Sequence, residues 1–552
     1  MAVHTIRAGA AYGTEVRPGD ARYEALRRGF NQRFIATPDY VTVARSTDEV
    51  VGAVTKYLAD RRSDGGPARR LTVRSGGHCY EDFVCGDDVA VILDLGQMDA
   101  VYLDEERGAY CVEAGATNWH LATRLYAPFG VAVPGGSCYS VGTGGHVTGG
   151  GYGLLSRQHG LTVDHLYAVE VVVVRDGQHA EAVVARRDSP EPELRDLWWA
   201  HTGGGGGTFG VVTRFWFKGL PEPPSLVLLH AVAWPWDRLK DHPERLKSLV
   251  RNYGLFFEHE NTTRLPAPLR VDYSDMFTLL KLNHLSNGKI GLITQLDATR
   301  PDSAQRLTAF LDWITQDLGV EPTPLDRRMG EHAPMGGLHV PTRLPWLTAT
   351  QTLNGSGDNQ CGKYKSAYMT RGFTEPQLDA IFHHLRRPDY TNPQALLQVD
   401  SYGAAANLPG SADTAVHQRS SVLKLQYQTY WSWQEDVNQD GVADQLDAAA
   451  DPEIAGRHLR WIREFYRDVY ADTGGVPVLA GTGEEGRPEP VTDGCYINYP
   501  DTDLDDPEWN TSGQPAHRLY HGSNYERLRK TKSYWDPRDV FRHAQSIPPA
   551  TG

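Results

Sequence analysis

Along the first 220 residues, apolar and polar positions alternate in short runs punctuated by glycine. TPDYVTVA starts strand-like and leads into an amphipathic helix, opened by Ser46 with Glu49 three residues on, the spacing of a capping box. LTVRSGGH reads as a strand running into a glycine turn. VAVILDL, AYCVEAG and VAVPGG read as further strands, ATNWHLATRLYAPFG as a helix, and LYAVEVVVVRDG as a β-branched strand ending at a turn. The texture changes after the proline-rich GLPEPPSL near residue 220. Beyond it, longer helical periods such as SAQRLTAFLDWITQDLG alternate with the strands ALLQVDSYG and SVLKLQYQTYW. The expectation is an α+β protein with a first domain over residues 1–220. A second domain over 221–500 would be an antiparallel sheet with helices on one face, and a charged segment, 501–552, would return to the first domain.

A chain of 552 residues is long enough for two cores, and 40% hydrophobic with 22% charged residues is ordinary for a soluble globular protein. The net charge of −14, with no basic stripe, argues against a nucleic-acid partner. No apolar stretch reaches bilayer length, and the N-terminus lacks the basic-then-apolar pattern of a secretory signal. The six cysteines, at 79, 85, 111, 138, 361 and 495, form no CxxC pair and no metal spacing. A bacterial cytoplasmic location is expected, with the sequons at Asn261, Asn354 and Asn510 read as chance matches. Asp436 to Asp447 places oxygen ligands and Gly441 much as a calcium loop does, but with Asp447 where glutamate is usual. It reads as a polar turn, and no metal is expected.

The chemistry concentrates in three glycine-rich segments: Arg74-Ser75-Gly76-Gly77-His78-Cys79-Tyr80, Gly135 to Gly142 with Cys138 inside, and Gly144 to Gly153. Glycines at strand ends let backbone N–H groups approach a ligand closely and form anion-binding nests. None fits the P-loop or the GxGxxG fingerprint, which disfavours ATP or NAD on those folds.

These motifs, with WWAHTGGGGG at 198–207 and the C-terminal YINYPD, resemble the berberine-bridge-enzyme-like FAD-linked oxidases of the vanillyl-alcohol-oxidase/PCMH flavoprotein superfamily. The nearest flavour is the doubly tethered hexose and glycopeptide-tailoring oxidases, and the likeness runs along nearly the whole chain. The resemblance implies a PCMH-type FAD-binding domain, with His78 bonded to the flavin 8α-methyl carbon and Cys138 to ring position 6. It implies that Arg74, Ser75, Gly76, Gly77, Gly142, Gly145 and Gly210 line the pyrophosphate and ring, with Tyr152 and Asn498 also at the cofactor. Tyr499 would be the general base, assisted by Asp400, with Lys424 and Gln426 near the flavin edge. Tyr80, Tyr152, Tyr496 and Gln398 would meet substrate. If YINYPD were a strand, Tyr496 and Tyr499 would face opposite sides, so a local twist is needed for both to line one pocket. A free phenol titrates near 10, so a tyrosine base needs a partner.

The activity so implied is oxidation of a small-molecule alcohol, a sugar or natural-product hydroxyl, with dioxygen reduced to hydrogen peroxide, by a monomer or homodimer. Oxidative cyclisation or dehydrogenation on the same flavin, and a flavin-holding module without turnover, are the rivals.

Overall fold

The computed structural model describes residues 13–63, 69–260, 262–431, 452–482 and 489–550, which form three sheets. Near the N-terminus, strands Thr14–Val16, Tyr40–Val43, Val89–Asp94 and Arg70–Arg74 lie side by side, the last three parallel. A second sheet of five antiparallel strands is centred on Val211–Phe217 and Leu166–Val173. Helix Thr47–Ser63 packs between these sheets, burying Val50 and Val54. Ser46 Oγ accepts from Glu49 N–H at 3.2 Å, the first half of the capping box; Glu49 reaches back one residue further, to Arg45 N–H at 2.8 Å. VAVPGG is not a strand. Ala132 N–H donates to Pro221 O and Gly135 N–H to Val133 O, so its backbone is spent outside any ladder.

The third sheet has eight antiparallel strands, with Phe277–Asn283, Ala395–Ser401, Leu423–Trp431 and Cys361–Met369 adjacent in that order. Strand alternation gives it two unlike faces. Leu423, Leu425 and Tyr427, with Leu397, Val399, Leu280 and Leu282, pack under helices Pro243–His259, Ser303–Thr315, Glu375–Leu385 and Pro452–Val469. The intervening Lys424, Gln426, Gln398, Asp400 and Lys281 point to the opposite face, towards the glycine loops. The C-terminal helix Tyr525–Trp535 lies on helix Pro192–Ala200, where Trp535 Nε1 donates to Glu193 O at 3.1 Å. The acidic loop 436–447 lies outside the described residues, as does Asn261. The side chains of Asn354 and Asn510 are hydrogen-bonded to backbone within the fold.

One buried charge cluster ties these parts together. Lys363 Nζ meets Asp501 Oδ1 at 2.7 Å and pairs with Glu81; Lys365 Nζ lies 2.7 Å from both Asp501 Oδ2 and Asp503 Oδ2. Arg463, from helix Pro452–Val469, closes the set on Asp503 at 2.7 Å. The five lysine and carboxylate side chains are at most 3% exposed. Burial pushes the Asp503 carboxyl up, but Lys365, Lys363 and Arg463 outweigh it and hold it well below the usual carboxylate range.

Asp503→Asn should therefore destabilise the protein by about 3–5 kcal/mol, the cost of breaking a buried pair, read as a lower denaturant midpoint. Because the folded carboxyl titrates below its unfolded value, the contribution is complete at neutral pH and is lost as pH falls. The gap between wild type and variant should start to close only below about pH 4. An unchanged midpoint at neutral pH would contradict this role.

Candidate active site

Between the glycine loops and the polar face of the eight-stranded sheet lies a cavity of about 340 Å³. Of the site residues expected from the sequence, all but Lys424 line it; Lys424 is fully buried just behind.

The loops are locked to one another. Ser75 Oγ donates to Ala114 O at 2.6 Å and accepts from Gly144 N–H at 3.3 Å. A methyl group on Gly142 would fall 2.1 Å from Ser75 Oγ and 2.2 Å from Gly76 N, so loop-on-loop contact demands glycine there. At Gly145 the same methyl would meet nothing within 4 Å, so this glycine faces open space in the cradle. Arg74 is turned to another task. Its guanidinium pairs with Asp94 and donates to Leu26 O and Arg28 O at 2.6 and 2.9 Å, holding the strand end in place. Gly77 and Gly210 both have positive φ, at 73° and 155°, and line the cavity wall.

His78 and Cys138 bring an imidazole and a thiol to this cavity. The His78 ring stacks on Phe30 at 4.6 Å, with Nε2 2.8 Å from Ser140 Oγ, and burial lowers its pKa to about 4, leaving a neutral imidazole. Burial raises the Cys138 thiol to about 12, and Asn118 Nδ2 fixes its carbonyl at 3.0 Å. Asn498 Nδ2 donates to His146 O and to the phenolic Oη of Tyr496, each at 2.9 Å.

On the sheet, register places Asp400 opposite Lys424, and Gln398 between Lys281 and Gln426. Lys281 Nζ donates to Gln398 Oε1 at 2.6 Å, and Gln398 Nε2 to Asp400 Oδ1 at 2.8 Å. Lys424 Nζ then donates to Asp400 Oδ2 and to the phenolic Oη of Tyr499, both at 3.1 Å. Asp400 thus reaches Tyr499 through Lys424. The lysine ammonium sits 4.2 Å from the Tyr499 ring centre and 5.0 Å from those of Tyr152 and Tyr496. Burial, with Tyr80 and Asp400 nearby, pushes the Tyr499 phenol well up. Burial pushes the Lys424 ammonium down against Asp400, which favours it.

YINYPD is a turn at this point: Tyr499 N–H donates to Tyr496 O at 2.9 Å, and the two rings meet edge to face at 5.0 Å. Both tyrosines therefore line the pocket, which strand alternation would have forbidden. Tyr152, Tyr496 and Gln398 have their polar ends engaged within the protein, Tyr152 on Ser401 O. Tyr80 accepts from Gln426 Nε2 at 3.3 Å and stacks on Tyr364 at 3.5 Å.

Glu331, His332, Tyr364 and Lys281 belong to the same site but were missed by sequence reasoning. Lys281 Nζ lies 3.7 Å from Glu331 Oε1, which is 3.2 Å from His332 Nδ1. A lysine inside the apolar run FTLLKLN was a usable signal; GEHAPM carries none.

The FAD binding domain family matches residues 38–182, and the berberine and berberine like family matches 495–548. Aclacinomycin-N/aclacinomycin-A oxidase of Streptomyces galilaeus is 38% identical over 96% of this chain and 89% of its own length. CrmK, a flavoenzyme involved in shunt product recycling in caerulomycin biosynthesis, superposes with a TM-score of 0.84 at 42% identity, covering 97% of this chain and 99% of its own. The glycopeptide hexose oxidase DBV29, complexed with teicoplanin, does so at 0.82 and 36% identity, with the same coverage.

The two glycines make a discriminating pair. Gly142→Ala forces a methyl into backbone and should cost about 1–3 kcal/mol of stability. Gly145→Ala should leave the thermal unfolding of flavin-free protein unchanged while lowering flavin content, measured by absorbance after purification. Equal stability losses in the two variants would contradict the assignment of Gly145 to the cradle.

Proposed function

Since the chain belongs to the berberine-bridge-like FAD-linked oxidoreductases, with their PCMH-type mixed helix–sheet fold, we propose that it carries FAD on both His78 and Cys138 and oxidises a substrate alcohol. The substrate class we infer is a hydroxyl of a glycosylated or polyketide natural product, the product a carbonyl compound, and the second product hydrogen peroxide. The observation that carries this reading is the meeting, in one cavity, of two nucleophilic side chains with a tyrosine held by a buried lysine.

The cavity suits the cofactor: glycine loops frame it, Gly145 leaves room, and His78 is neutral and so nucleophilic. FAD bound there would supply a hydride acceptor that dioxygen can reoxidise. Every other part of the reaction falls to the chain. Tyr499 takes the proton of the substrate hydroxyl, and the Lys424 ammonium stabilises the phenolate by a hydrogen bond and by its place over the ring. Asp400 keeps Lys424 oriented and charged in a buried setting, and Gln398 with Lys281 holds Asp400. Tyr80, Tyr364 and Tyr496 wall the site with aromatic surface, which keeps water from the reacting carbon.

Acid precipitation should leave the yellow colour with the protein, on peptides containing His78 and Cys138; colour in the supernatant would refute the tethers. Tyr499→Phe should lower the rate of flavin reduction by about 10²–10⁴-fold with the flavin spectrum intact. Lys424→Met removes the charge that stabilises phenolate, so the rise of rate with pH should move to higher pH. A profile that stays in place would remove Lys424 from that role.

A further inference from the structure

Ser140 takes no part in the chemistry above, yet it lies where the two halves of the molecule meet. Its Oγ is 2.8 Å from His78 Nε2. Its backbone N–H donates to Ser356 Oγ at 2.9 Å, and the N–H of Tyr139 donates to Asn354 Oδ1, also at 2.9 Å. Gly355, between those two, lies against Cys138: a methyl there would come within 3.2 Å of Sγ. From the other side, Trp119 N–H donates to Tyr139 O at 3.1 Å and Val141 N–H to Cys138 O at 3.3 Å. The serine hydroxyl is thus held by backbone anchored on both flanks.

An imidazole can bond to carbon through either nitrogen, and the hydrogen bond made by one nitrogen decides what the other can do. We propose that Ser140 is the positioning residue that selects Nδ1 of His78 as the atom joined to the cofactor, an inference that rests on the covalent reading above. The serine oxygen lies 2.8 Å from Nε2; with the serine as hydrogen-bond acceptor, Nε2 keeps its proton and the ring lone pair falls on Nδ1. Among the described residues no hydrogen bond engages Nδ1. Phe30, stacked at 4.6 Å, restrains the ring from turning over, and burial keeps it neutral at physiological pH. The Nδ1 lone pair becomes the new bond to the methyl carbon at ring position 8. One C–H bond of that methyl breaks, its proton going to solvent and its electron pair reducing the ring system. Dioxygen then removes that pair as hydrogen peroxide, and the alkylated imidazole releases its Nε2 proton past Ser140.

The test uses full-length protein made in riboflavin-starved cells and then given FAD, for wild type, Ser140→Ala and Ser140→Thr. Attachment is followed by mass mapping of the His78 and Cys138 peptides, and NMR of the isolated flavin peptide identifies the bonded nitrogen. In Ser140→Ala the His78 bond should form roughly tenfold more slowly, the effect of one hydrogen bond, while the Cys138 bond still forms. Ser140→Thr, which keeps the hydroxyl, should restore the rate. Wild-type attachment through Nε2, or attachment through Nδ1 at the wild-type rate in Ser140→Ala, would overturn the inference. So would loss of both bonds in Ser140→Ala, which would reduce Ser140 to a structural part of the loop. Wild type with no bond at His78 would instead overturn the covalent reading itself.

Discussion

The pocket hangs on a buried cluster of charges. Lys363 and Lys365 extend from one strand, and between them they take Glu81, Asp501 and Asp503. Glu81 directly follows Tyr80, and Asp501 stands two residues after Tyr499, so the same ion pairs fix both aromatic walls of the cavity. Those walls come from distant parts of the chain, and the cluster sets them in register. Removing such charges from water is expensive, and the cost is offset only when every carboxylate and ammonium finds partners. With two lysines and Arg463 set against three carboxylates, the cluster meets that condition. Its physical consequence is positional: the stacked Tyr80 and Tyr499 rings, 5.5 Å apart, cannot drift independently.

A second network, on the other face of the same sheet, obeys the same rule for a different end. Alternation sends Leu423 and Leu425 into the helix-covered core, and the intervening Lys424 to the cavity side, where it needs a counter-charge. Asp400, opposite it on the neighbouring strand, supplies one, and Gln398 relays the contact to Lys281. A slip of one residue in this register would exchange the two faces and bury the lysine among leucines, so the hydrophobic pattern specifies the placement of the polar, cavity-side face as firmly as it specifies the core.

This explains what was legible in the sequence. Strands such as LKLQYQTYW and the helix from Ser303 announce themselves because each residue's environment follows from its neighbours in the chain. The glycine segments were legible for a related reason, since Gly142 has no room for a side chain whatever else happens. The reading failed where contact partners lie far apart. That Tyr496 and Tyr499 need a local twist to share one pocket was legible, but not its cause: Asn498 bonds to His146 O and Asp501 is drawn to the two lysines, and the backbone turns between them. That Asp400 would assist Tyr499 could be read from the chain, but not that the cross-strand register sets Lys424 between them. VAVPGG has strand-like composition, but its N–H groups are claimed by Pro221 and by its own carbonyls.

Composite construction has a cost and a use. His78 and Cys138 arise on the glycine loops, the serine and asparagine that brace their neighbours arise beyond residue 350, and the tyrosine arises near the C-terminus. A cavity built from three such distant segments exists only when all three are docked. The packing that frames the cavity is the same packing that sets the Ser140 contact at His78 and the lysine contact at Tyr499. Both contacts therefore draw on one preorganised arrangement, in which the groups are oriented by the fold itself.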